Sequence, residues 1–191
     1  NAGKATLVAN TAGVTQFDAA VGTTSLAALS TSAAGSTQIN GGTVTTSGVG
    51  GGSGAQTYSD AVTLGANTSL TASTVSFNST LDSAPTTTKT LAIVGNVQFG
   101  DATGSDSVGA IDKLASLSVS GTTGVAKSAT GINTTGDQTY TGAVTLQDGN
   151  AATTYTLDSS VSGKLWFKST VDGSNAGKAT LVANTAGVTQ F

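Results

Sequence analysis

Residues 1–17 read NAGKATLVANTAGVTQF, and residues 175–191 read the same seventeen letters in the same order, at an offset of 174. A lone domain closed around its own core has no reason to use one segment twice at that spacing. A chain built of tandem units does, and a self-similar period is the first thing that fixes what such a chain can fold into. Inside the period lies a second, diverged repeat. QTYSDAVTL at 56–64 returns as QTYTGAVTL at 138–146, FNSTLDS at 77–83 as FKSTVDG at 167–173, and LAALSTS at 26–32 as LASLSVS at 114–120. VTQF at 14–17 shortens to VQF at 97–99. The offsets drift from 82 for the first pair to 90 for the second, and insertions at 48–55 (GVGGGSGA) and 99–109 (FGDATGSDSVG) account for the drift. The organisation read from this is the end of a preceding repeat at 1–13, a first unit at 14–96, a second at 97–187 and the start of a next repeat at 188–191.

Local patterning points to strands. Val75 and Phe77 flank Ser76, Leu91 and Ile93 flank Ala92, and this period of two gives a strand with one buried face. The 36 Thr and 17 Val stiffen the backbone toward extended conformations, and Ala sits singly among Gly, Thr and Ser, which interrupt helices. Turn steps every five to ten residues leave no room for the crossover helices of an α/β fold. A sandwich would need recurring Asn-Gly or Asp-Gly hairpins, and only scattered ones occur. The expected fold is therefore all-β, a parallel β-helix or β-solenoid, with coils of roughly 20–30 residues stacked near 4.8 Å. Its expected inward column is Leu7, Phe17, Leu26, Leu29, Ile39, Val62, Leu64, Leu70, Val75, Phe77, Leu81, Leu91, Ile93, Val97, Phe99, Leu114, Leu117, Val119, Ile132, Val144, Leu146, Leu157, Leu165, Phe167, Val171 and Leu181.

The alphabet restricts chemistry. The chain has no His, Cys or Met, and neither Arg nor Glu occurs. Imidazole, thiol and guanidinium chemistry are absent, so the Ser-His, Cys-His, zinc and haem mechanisms each lack a required member. With 7 Lys against 10 Asp, a net charge of −3 argues against nucleic acid, whose phosphates need clustered cations. No run of apolar residues is long enough to span a membrane. The expectation is no enzyme and no cofactor.

Few residues stand out from this pattern. Asp101 and Asp106, with Asp112 nearby, form the densest acidic stretch and are weak candidates for a cation, but the spacing of a calcium loop is missing, and solvated loop acids explain them better. Asp82 and Asp172 occupy equivalent slots expected at turns. Tyr58 and Tyr140 share the QTY slot and read as structural. Trp166, opposite Ser76 in the alignment, should point outward between Leu165 and Phe167, either as a contact platform for a sugar or a neighbouring fibre, or as a residue covered by a loop.

LASLSVSG, QTYTGAVTL, LTASTVSFNSTLD and TLAIVGNVQF resemble the repeats of giant secreted bacterial adhesins and surface fibres of the filamentous-haemagglutinin kind, over essentially the whole chain. That resemblance implies a right-handed parallel β-helix outside the cell, serving as a stiff rod for adhesion, matrix or biofilm. Its implied partners are adjacent repeats end to end, neighbouring rods laterally, and surface glycans. An end-to-end polymerising filament or surface-layer subunit is the alternative, and a β-helical polysaccharide-active enzyme a remote one.

Overall fold

The computed structural model describes residues 4–48 and 53–191, so half of the GVGGGSGA insertion, residues 49–52, lies outside the described residues. The fold is an all-β solenoid without helix among those residues, and every strand pair in it is parallel. Each coil has three sides. The first side stacks Thr6–Ala9, Ala28–Thr31, Gln56–Tyr58, the second halves of Thr68–Phe77 and Thr90–Phe99, then Thr123–Ala126, Val144–Gln147 and Val171–Gly173. The second stacks Val14–Phe17, Ser36–Ile39, Ala61–Leu64 and Leu81–Ser83, and continues through single bridges at Val108 to Gly131–Thr134, Thr153–Ser159 and Ala179–Thr185. The third runs from Val21–Leu26 and Thr43–Thr46 through the first halves of the two ten-residue strands to Ser116–Val119, Gln138–Tyr140, Leu165–Phe167 and Thr189–Gln190.

Coil length varies, as the drifting repeat offsets require. Gln56 pairs with Val75, 19 residues on, whereas Leu29 pairs with Gln56, 27 residues on. Stacking tolerates this because only the three short sides must keep register, while the corners absorb the surplus. The 99–109 insertion is one such corner. Two coils need no loop between the third and first sides: Thr68–Phe77 and Thr90–Phe99 bend round the corner in a single strand, which merges those sides into one sheet. In the second strand the bend falls at Gly95, with φ of 136°, where an added Cβ would lie 1.9 Å from the Ala72 carbonyl oxygen. Only glycine fits there.

The interior is one continuous apolar column. Of the 26 residues read as inward, 22 are buried, and Leu7, Leu26, Val171 and Leu181 are half-buried. Leu7, Val171 and Leu181 nonetheless pack on the column, from the terminal coils. Aromatic rings stack along it in two ladders: Tyr58, Phe77 and Phe99 with centroid spacings of 5.3 and 5.8 Å, and Tyr140, Phe167 and Phe191 with spacings of 5.3 and 5.1 Å. Offset ring pairs of this kind add about 0.5–1.5 kcal/mol each beyond the area they bury.

The QTY motif is a buried polar clamp. Gln56 Nε2 donates to the carbonyls of Val44 and Thr71, both at 3.0 Å, while its Oε1 accepts the Tyr58 hydroxyl at 3.0 Å. Gln138 repeats this, donating to the carbonyls of Ile132 and Asp158 at 3.1 and 3.0 Å and accepting from Tyr140 at 2.8 Å. Each glutamine thus ties its own side of the coil to the one before it. The reading of both tyrosines as structural agrees with this geometry.

Burial holds the Tyr58 and Tyr140 hydroxyls far above the usual phenol range, with the nearby Asp60 carboxylate adding to the rise at Tyr58. A raised folded value means that the stability contributed is complete below the unfolded tyrosine value of about 10 and is lost as pH climbs beyond it. Thermal melts are therefore expected to fall from about pH 10 upward. A Tyr58→Phe, Tyr140→Phe double variant should melt lower at neutral pH and show a flatter alkaline limb.

Candidate contact surface

Trp166 lies in Leu165–Phe167, whose outer two residues are buried in the column. Alternation turns the indole outward on the third side, as the sequence pattern requires. Its rung neighbours are Thr139 on one coil and Gln190 on the next. Lys164 Nζ stands 3.7 Å and Lys168 Nζ 3.9 Å from the ring centroid, close enough for cation–π attraction. The result is a half-buried aromatic plate carrying two ammonium groups on a chain of net charge −3. An open surface cavity lies beside it, lined by Trp166, Phe167, Lys168, Ser169 and Phe191. Chemically this plate suits ligands that present an apolar face together with negative charge.

The acidic candidates are placed differently. Asp101 accepts from the Thr103 hydroxyl at 2.6 Å and the Thr103 N–H at 2.8 Å, and these bonds hold its carboxyl below the usual range. Asp106 accepts from the Asp101 N–H at 3.2 Å. Both carboxylates therefore brace their own loop, and Asp112 donates its N–H to Asp82. Among the described residues no group of three or more acidic, His or Cys side chains gathers as a cation site would require. The expected turn positions of Asp82 and Asp172 are corrected: both sit within short strands, Leu81–Ser83 and Val171–Gly173. Asp82 is buried because the 109–113 corner folds over it, and its carboxylate accepts the N–H groups of Ile111 and Asp112 at 3.0 and 3.3 Å.

Two buried carboxylates escaped the sequence reading. Asp60 accepts from the hydroxyls of Thr31 at 2.5 Å and Thr37 at 2.9 Å, pinning the corner between the first and second sides. Its counterpart in the second QTY copy is Gly142, where an added Cβ would come 2.4 Å from the Gly121 carbonyl oxygen. Burial works against ionisation of Asp148, but hydrogen bonds from the Asn175 side chain and the N–H groups of Asn150 and Asn175 outweigh it and hold the carboxyl low. Neither residue faces the Trp166 plate in the rung pairing. The signal that could have found them is the Thr and Asn at neighbouring rung positions, legible only once the coils are aligned.

Comparison with protein-family models, curated proteins and solved structures finds no match. The fold and the geometry of this surface therefore carry the functional reading.

An outward Trp166 has a measurable signature in stability. Trp166→Ala should cost about 1–2 kcal/mol, the scale of cation–π contacts to a half-buried ring, whereas Phe167→Ala, one residue on in the ring ladder, should cost about 3–5 kcal/mol. Chemical denaturation of the two variants checks the difference.

Proposed function

We propose that this chain is a repeat segment of an extracellular structural and adhesive rod, whose work is mechanical rather than catalytic. The observation that carries this reading is the reuse of sequence along an unbroken stack: the same clamp, the same three-ring ladder and the same seventeen-residue segment return along one column. Chemistry would need a singular cluster of reactive groups, whereas these slots are filled by equivalents. Solenoid stability grows by nearest-neighbour stacking, so a tandem array gains length without needing a new core. A chain rich in Thr and Ser, with only 9% charged residues, leaves little repulsion to oppose lateral contact between rods. The lack of Cys and Met removes oxidisable sulfur, which suits a rod outside the cell.

The partners proposed are further copies along the axis, neighbouring rods at the sides, and acidic saccharides at the Trp166 plate, where an indole beside two lysines would stack a sugar ring and pair its carboxylate. Denatured mass decides the covalent question. Material boiled in formic acid and weighed as separated polypeptide is expected to run at hundreds of kilodaltons, several periods in one chain. A single species near 18.3 kDa would overturn the covalent array in favour of a subunit that polymerises end to end.

A further inference from the structure

The repeated sequence and the coil do not share a period, and the mismatch is regular. On the first side the rungs run Leu7, Leu29, Gln56, Val75, Val97, Thr123, Val144, Val171, which is seven turns. Leu181, the copy of Leu7, comes one side later, against Tyr155 on the second side. On the second side the rungs run Thr15, Thr37, Val62, Leu81, Val108, Ile132, Leu157, Ala183, again seven turns. Thr189, the copy of Thr15, again comes one side later, against Leu165 on the third side. Both counts give seven turns and one third.

The half-repeat obeys the same rule. From Tyr58 the rungs Phe77, Phe99 and Val125 complete three turns, and Tyr140 lies two sides further on. From Leu29 the rungs Gln56, Val75 and Val97 complete three turns, and Leu117 again lies two sides further on. Two steps of three and two-thirds turns make seven and one third. The ring ladders mark these steps physically: Tyr58, Phe77 and Phe99 on the first side correspond to Tyr140, Phe167 and Phe191 on the third. The clamp moves with them, since Gln56 reaches from the first side to the third and Gln138 from the third to the second.

We infer that the 174-residue period is a screw operation, and that the terminal rung of Leu181 and Phe191 is a docking face for a second copy of this repeat, turned by one side of the coil. The inference rests on the rod reading, and it specifies how the rod is assembled. Phe17 is covered by Ile39, and Leu7 by Leu29. Their copies Phe191 and Leu181 are 78% exposed and half-buried. Residues 18 onward of a following copy would supply those same covers. Successive Trp166 plates would then face three directions in turn, about 35 Å apart along the axis at 4.8 Å per turn. Such a rod can be gripped from any side, and three copies restore the starting orientation.

The chain carries its own probe, a single Trp and no Cys. A nitroxide on Gln190→Cys should remove most of the Trp166 fluorescence, because position 190 pairs directly with the indole. The same label on Val182→Cys, exposed on the second side of the terminal coil, should remove little. Weak quenching from position 190, with circular dichroism unchanged from the unlabelled chain, would overturn the screw, because seven whole turns would place that residue on the second side. The denatured mass is independent of this readout, so a failed screw and a failed covalent array are told apart.

Discussion

Every rung of a parallel stack must place its backbone donors and acceptors opposite those of the rungs above and below, and in a narrow three-sided coil the inward side chains inherit that register. A residue at one level is packed chiefly by its counterparts one coil away, as Phe77 is by Tyr58 and Phe99. The core is then a set of one-dimensional ladders, and a polar group admitted to it must find its partners within one coil of itself. Gln56 and Gln138 meet that demand by spending their amides on carbonyls of the adjoining side and their carbonyl oxygens on tyrosine hydroxyls.

The same constraint explains why the sequence repeat need not be a whole number of turns. Each side of the coil is built of short strands that turn alternate residues inward, so a segment patterned for the first side can also pack on the second or third. KATLVANTAGVTQF occupies the first and second sides at residues 4–17 and the second and third at 178–191, with Leu7 and Leu181 directed inward in both places. Selection for length can then duplicate any stretch that spans whole sides. Surface features, including the Trp166 plate with Lys164 and Lys168, are thereby spread around the rod instead of aligned along one edge.

Much of this was legible in the letters. Alternation identified the strands and the inward column, since Val75, Phe77, Leu91 and Ile93 depend only on neighbours two residues away. Trp166 was placed outward by the same rule. What the letters did not reveal depends on alignment between coils. The carboxylate of Asp60 is buried against Thr31 and Thr37, 29 and 23 residues earlier, and Asp82 is buried under a corner 29 residues later. Variable corners, from a 19-residue coil to a 27-residue one, hide such pairings from any fixed-period search. The lysines over Trp166 are visible in the sequence as neighbours, but their position over the ring is a matter of side-chain geometry.

The central claim is that the chain is a parallel stack of coils rising along a single axis. X-ray diffraction from flow-aligned protein tests it directly, because the direction of the strand spacing relative to the long axis distinguishes the architectures. The account predicts a strong reflection near 4.8 Å along the alignment axis, from coil-to-coil hydrogen bonding. Strand spacing perpendicular to the long axis would mean strands running lengthwise, as in an elongated sandwich, and would contradict it.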